Sequence, residues 1–402
     1  MLNRISIDRT RFLADFDALS KFGMTPEGLN REAGSEAFGA ARDFLHERMS
    51  AAGLKTRIDA AGNLFGVLPG VRADSRKLLS GSHLDSVTNG GAYDGPLGIL
   101  AALEAVRAMR DAGYENRHAI EVAAFNAEEG GPLGGTFGSR AFTGVLREGD
   151  VPAETLAAYG MDARSLLAAK ADVENYAASV ELHIEQGPVL EQESIPIGIP
   201  TGIVGIARYE VHIAGTANHA GTTPMPARHD AMQAAVRILS EWFGLVASRD
   251  DFVCNVGTFA LEPGHVSIVP GGATFVLELR ALSAETLRET ARLFAEIAAK
   301  EQICDTRVMR LGEKLPVELD DRVIATIADA CTEMGLGFKK MPSGASHDSS
   351  PIAKVMPAGM IFVPSAKGIS HSKDEFTEKE DAIRGAECLV NALLKLDTAS
   401  WT

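Results

Sequence analysis

The sequence predicts an α/β protein, a mixed and largely parallel sheet flanked by helices, interrupted by a smaller α+β module. Three observations predict it. First, residues 77–82 read as a strand and residues 119–125 as a short apolar run suited to a buried strand. Between them Leu97, Leu100 and Leu103, with Ile99, Val106 and Met109, repeat at helical spacing. A strand, a helix and a strand in close succession imply a right-handed crossover between parallel strands. Second, residues 209–314 have a different rhythm, β-α-β-β-α-β, the order of a ferredoxin-like split βαβ unit. Third, residues 321–402 resume helix and strand alternation. A chain of 402 residues is long for one core. The expected division is therefore a first domain over 1–208 that resumes at 315–402, with the module at 209–314 inserted.

The elements follow in order. Residues 9–22 and 35–52 read as helices, with Gly53 as a stop, and 63–68 as a strand. The helix over 96–112 ends at Gly113, a good C-terminal cap. Residues 180–184 form another short strand. In the module, 209–213, 252–259, 274–280 and 305–311 read as strands, and 230–245 and 284–299 as helices. Pro270-Gly271-Gly272 is the expected turn between the second and third strands. Gly202, Gly205 and residues 314–316 are candidate hinges. A helix over 322–334, a strand over 358–363 and a long helix over 379–396 complete the chain.

Composition narrows the function. Apolar residues make up 46% and charged residues 23%, ordinary values for a globular protein. The net charge of −15 disfavours non-specific binding to nucleic acid or anionic membranes. No apolar run is long enough for a membrane helix. The N-terminal residues show no signal-peptide pattern, and the four cysteines (Cys254, Cys304, Cys331, Cys388) form no CxxC pair, so a reducing, cytoplasmic setting is expected.

In an open parallel sheet, ligands bind beyond the carboxyl ends of the strands. Four polar clusters fall there: His83 and Asp85 with Asp94 on the following loop; Glu128 and Glu129; His183 and Glu185; and Gly368-Ile369-Ser370-His371. Any one of them alone reads as a structural strand end or solvated turn. Together they suit divalent metals such as Zn²⁺, Mn²⁺ or Co²⁺, whose usual ligands are imidazole and carboxylate. The ligand count fits two ions roughly 3.5–4 Å apart under a shared carboxylate. His83 and Asp85 are two residues apart on one strand face, so Asp85 can orient the imidazole rather than bind metal. Of the adjacent glutamates, one can ligate while the other stays free as a general base. No GxSxG elbow argues for a serine hydrolase.

The motifs GSHLDSV…GGAYDGPLGILAALEA, FNAEEGG…GSRAFTG, ELHIEQGPVLE, GTANHAGTTPM and GISHSKDE, in this order, resemble the N-carbamoyl-L-amino-acid amidohydrolase family. That group includes L-carbamoylases, β-ureidopropionase and allantoate amidohydrolase, and is related to aminoacylase and carboxypeptidase-type exopeptidases. The resemblance spans nearly the whole chain. It implies a zinc-exopeptidase-like fold whose inserted module serves as lid and dimerisation domain. His83, Asp94, Glu129, His183 and His371 would be metal ligands for two divalent ions (Zn²⁺ or Mn²⁺, with Co²⁺ or Ni²⁺ possible), Asp94 bridging. Asp85 would orient His83, and Glu128 would be the general base. His219 would act from the module on the neighbouring subunit of a homodimer. Gln186, Arg280, Ser267 and Gly344 would contact a small ureido or amide substrate bearing a carboxylate.

The expected reaction is hydrolysis of the ureido bond of an N-carbamoyl-L-amino acid or related ureido acid, releasing ammonia and carbon dioxide. Allantoate, or an N-acyl amino acid or peptide amide, is the alternative substrate. A non-catalytic binding protein is disfavoured, because every expected ligand and the base are present. Arg280 could instead be a surface ion-pair residue and His219 a turn residue; His347 is left without a role. Two departures bear on substrate. Ser267 stands where family members usually carry asparagine, and the segment after Glu129 lacks an arginine that many members place there.

Overall fold

A computed structural model describes residues 4–72 and 76–401 of the chain. The chain divides into two compact units, 1–201 with 318–402, and 202–317.

The larger unit is built on a nine-stranded mixed sheet. Its strands lie in the order Lys55–Ile58, Leu64–Leu68, Ile120–Phe125, Lys77–His83, Tyr176–Ile184, Ala358–Val363, Ile197–Ile203 and Val317–Glu318, and Phe338–Ser343 also pairs with Ile197–Ile203. The four strands from Ile120–Phe125 to Ala358–Val363 are mutually parallel, and antiparallel pairing flanks them on both sides. Every residue of Ile120–Phe125, Tyr176–Ile184 and Ala358–Val363 is buried, as expected for central strands covered on both faces. The helices Pro96–Asp111 and Lys379–Thr398 supply much of that cover. Pro96 takes the first helical position, where its missing N–H leaves no bond unmade.

The smaller unit is a four-stranded antiparallel sheet in the order Phe252–Glu262, Gly272–Ala281, Gly205–Ala214, Asp305–Lys314, with the helices Ala231–Val246 and Ala284–Ala299. This is the split βαβ order. Strict alternation buries Ala273, Phe275, Leu277, Leu279 and Ala281, and they share one core with Trp242 and Phe294 from the helices. Asp230 and Ser283 cap the two helices with side-chain oxygens.

Several details differ from the sequence pattern. The first helix is Arg9–Leu19, three residues shorter than expected, with Ser20 as its C-terminal cap and the Ser20 N–H and hydroxyl both on the Phe16 carbonyl. The connection between the second and third module strands is not a simple Pro270-Gly271-Gly272 turn. It spans 263–271 and contains the short strand Ile268–Val269, which pairs with Asn218–His219. Cys331 and Cys388, far apart in sequence, are both buried with Sγ atoms 3.4 Å apart; all four cysteines are free. Among the described residues no helix is long and apolar enough to cross a membrane.

Candidate active site

Four strand ends deliver the site. Lys77–His83 ends on His83, and Tyr176–Ile184 carries His183 one residue before its end. Glu128 and Glu129 follow Ile120–Phe125, and the loop after Ala358–Val363 carries Ser370 and His371. The four strands are parallel neighbours, so these ends meet on one edge of the sheet.

Main-chain contacts aim the first two imidazoles. His83 Nδ1 donates to the Asp85 carbonyl at 3.0 Å and His183 Nδ1 to the Ile184 carbonyl at 2.9 Å. A carbonyl only accepts, so Nδ1 carries the hydrogen and Nε2 is the inward atom. The two Nε2 atoms lie 3.3 and 3.1 Å from Asp94 Oδ1. On the other side His371 Nε2 lies 3.4 Å from Asp94 Oδ2 and 3.2 Å from Glu129 Oε2. Asp94 thus gives one oxygen to each of two donor groups, His83–His183–Asp94 and Asp94–Glu129–His371. Imidazole and carboxylate donors in two groups with one shared carboxylate fit a pair of divalent ions. Gly95, at φ +86°, makes this packing possible: a Cβ there would sit 2.6 Å from His83 Nδ1.

Asp85 acts by a different route from the one expected. Its carboxylate is 3.8 Å from His83 Nδ1, and the main-chain carbonyl makes the orienting contact instead. The chain leaves the strand at His83, so strand alternation no longer sets the direction of Asp85. Its Oδ1 and Oδ2 accept the Glu128 and Glu129 N–H groups at 3.0 and 3.1 Å. The side chain therefore fixes the two glutamates, and the backbone fixes the histidine.

The pocket draws positive charge. Burial alone would raise Asp94, but His183, His371 and His83 hold it well below the usual carboxylate range. Burial alone would lower His83 and His183, yet Asp94 outweighs it and both sit above their ordinary value. Asp94 and Glu129 push His371 up to about 10. Glu128 belongs to neither donor group. Burial pushes it well above the usual range, and Asp348, Glu129 and Asp85 add to the rise against the opposing pull of His83.

Gln186 donates from Nε2 to Asp94 Oδ2 at 2.7 Å, and among the described residues its buried Oε1 has no hydrogen-bond partner. Gln186 and His371 hold left-handed φ angles of 58° and 54°, and Ala127 just before Glu128 holds 54°. Non-glycine residues in that region persist where their surroundings over-determine them, often at functional sites. Glu185, by contrast, is structural: its two oxygens accept the Val189 and Leu190 N–H groups that open a short helix. Gly344 lies exposed on the loop after Phe338–Ser343.

Some members of the site left no mark in strand-end spacing. Glu181 accepts from Ser82 and from the Ser349 N–H and hydroxyl. His347 packs edge-on against His183 at 4.4 Å, and burial with Glu181 pushes the neighbouring Asp348 up to about 8. Glu375 takes the Tyr93 and Asp94 N–H groups. The strings SGASHDSS and GISHSKDE are the signal that could have located His347, Asp348 and Glu375.

His219, Ser267 and Arg280 belong to the smaller unit. His219 Nδ1 accepts the Gly221 and Thr222 N–H groups at 3.0 and 3.2 Å, so in the neutral ring Nε2 carries the hydrogen. Its loop is tied to that of Ser267, whose carbonyl accepts the Ala220 N–H at 2.9 Å. Arg280 donates from Nε to Glu278 at 2.7 Å.

Comparison with known proteins fits this geometry. Residues 79–395 match the peptidase family M20/M25/M40. The chain is 40% identical to an N-carbamoyl-L-amino acid amidohydrolase of Geobacillus stearothermophilus over 94% of this chain and 96% of that one. It is 35% identical to an allantoate amidohydrolase of Escherichia coli, covering 94% and 95%. Among solved structures, a hydantoinase/carbamoylase family amidase from Burkholderia ambifaria superposes with a TM-score of 0.90 at 30% identity, covering 99% of this chain and 100% of that one.

Proposed function

The chain belongs to the peptidase family M20/M25/M40, and from that premise we propose that it hydrolyses the ureido bond of N-carbamoyl-L-amino acids, using two divalent ions. The observation that carries the reading is the pair of donor groups joined by Asp94, with Glu128 beside them but outside both. His83, His183 and Asp94 would hold one ion; Asp94, Glu129 and His371 the other, with Zn²⁺ or Mn²⁺ favoured and Co²⁺ or Ni²⁺ accepted by the same donors. Bound there, such ions supply Lewis acidity and a lower pKa for attacking water.

The side chains then divide the work. Glu128, whose backbone is pinned by Asp85 and whose carboxyl holds protons more readily than usual, takes the proton of the attacking water. It returns that proton to the nitrogen as the carbon–nitrogen bond breaks. The products are the amino acid and carbamate, which falls to ammonia and carbon dioxide. The unpartnered Gln186 Oε1 suits an N–H of the ureido group, a donor that an N-acyl amide lacks at that end. His219, with Nε2–H outward, suits the carbonyl oxygen as negative charge develops on it, serving the neighbouring subunit. Arg280 would hold the substrate carboxylate, with Ser267 and Gly344 lining the same substrate.

A homodimer through the module is part of this proposal. Phe252–Glu262 is an edge strand and exposes Val253 and Phe259, and the helix Ala231–Val246 exposes Val236 and Phe243, an apolar surface suited to a second copy. The four free thiols suit a cytoplasmic setting. Allantoate is the second reading, supported by the kinship at 35% identity to an allantoate amidohydrolase.

The test is ammonia release from N-carbamoyl-L-amino acids, β-ureidopropionate and allantoate, beside acetate release from N-acetyl-L-amino acids, by Mn²⁺- or Zn²⁺-reconstituted protein. The reading expects the N-carbamoyl-L-amino acids to lead. Deacetylation with no ammonia from any ureido acid would sink it.

A further inference from the structure

Glu375 is a buried carboxylate, 6% exposed, and among the described residues no Lys, Arg or His side chain pairs with it. Burying a carboxylate without a cation is unfavourable unless hydrogen bonds answer for it. Here they do, and all of them come from the ligand-bearing loops. Oε1 accepts the successive N–H groups of Tyr93 and Asp94, each at 3.0 Å. Oε2 accepts the Ser370 hydroxyl at 2.8 Å, and Ser370 Oγ also lies 3.0 Å from Asp94 Oδ2. Gly91 completes the fit, because a Cβ there would stand 2.2 Å from Glu375 Oε1 and 2.4 Å from its Cβ.

We propose that Glu375 is a positioning residue that clasps two loops distant in sequence, the one carrying Asp94 and the one carrying His371, so that Asp94 can face both ion positions. The inference rests on the two-ion reading above. Glu375 touches no donor atom of the site. It sets the backbone at Tyr93 and Asp94 through two N–H groups, and it holds the Ser370 hydroxyl beside the Asp94 carboxylate. The same loop holds His371 at φ 54°, a conformation that closure of the loop on Glu375 helps to fix. Partners of this kind typically govern metal affinity by roughly 10–100-fold.

The experiment is titration of the metal-free full chain with Mn²⁺ and with Zn²⁺, by calorimetry and by metal analysis after dialysis. It compares the wild type with Glu375→Ala, Glu375→Gln, Ser370→Ala and Gly91→Ala. Wild type should bind two ions per chain. Glu375→Ala should weaken at least one of them by about 10–100-fold. Its kcat should fall at limiting metal and recover in excess metal, with KM little changed. Glu375→Gln, whose amide oxygen can still accept both N–H groups, should restore most of the affinity. Gly91→Ala keeps the carboxylate but drives a methyl into it, and should reproduce the loss, which covers the case in which Glu375→Ala fails to fold. Two ions bound with unchanged affinity in both Glu375→Ala and Gly91→Ala would overturn the clasp and leave the two-ion reading standing. A lower unfolding temperature of the metal-free variants with unchanged affinity of the folded fraction would likewise reduce Glu375 to a structural residue. A wild type that binds no ion would overturn both readings.

Discussion

His83 and His183 in the larger unit and His219 in the smaller one are the same side chain held by the backbone in opposite ways. The first two are buried, and each gives its Nδ1 hydrogen to a main-chain carbonyl, which makes Nε2 the atom that faces Asp94. His219 is exposed and takes two main-chain N–H groups on Nδ1, which leaves Nε2 carrying its hydrogen toward solvent. The backbone thus chooses the tautomer in each case. One arrangement suits a ligand for a cation; the other suits a donor to a developing anion. The lesson is that the role of a histidine can be read from what its second nitrogen touches.

The strongest test removes the proposed proton carrier, Glu128. Glu128→Gln should lower kcat by roughly 10²–10⁴-fold while two ions remain bound, checked by steady-state kinetics beside metal analysis. Retained turnover would remove Glu128 from the mechanism. Next comes His219→Ala, which should lower kcat by about 10²–10³-fold with metal content unchanged. If it released metal instead, the two histidine classes would not be distinct. Asp85→Ala sharpens the ligand side of the contrast. With the Glu128 and Glu129 N–H groups unanswered, metal affinity should fall by about 10–100-fold, measured by competition with a chelator. Ser267→Asn should have the smallest effect, a change in preference among N-carbamoyl side chains by less than about tenfold in kcat/KM, with kcat itself nearly constant.

Much of the larger unit was legible because its central strands are buried on both faces and contain short apolar runs. Lys77–His83, Ile120–Phe125 and Ala358–Val363 stand where those runs predict them. The members of the two donor groups were legible for a related reason: they follow strand ends, and strand ends can be counted. Edge strands were not. Lys55–Ile58 is mostly exposed and carries Lys55 and Arg57 without apolar alternation, so no pattern announces it. The network around the donor groups was hidden as well. Ser82 meets Glu181, and Glu375 meets Asp94, only through pairings that join distant parts of the chain. Local periodicity carries no record of such contacts. The route taken by Asp85 was misjudged because alternation was extended one step beyond the end of the strand.

The most direct measurement is ammonia release from an N-carbamoyl-L-amino acid as metal is added stepwise to the metal-free chain. Two donor groups sharing Asp94 predict activity that climbs to a plateau at two equivalents per chain. A plateau at one equivalent, or full turnover with no metal added, would contradict the account.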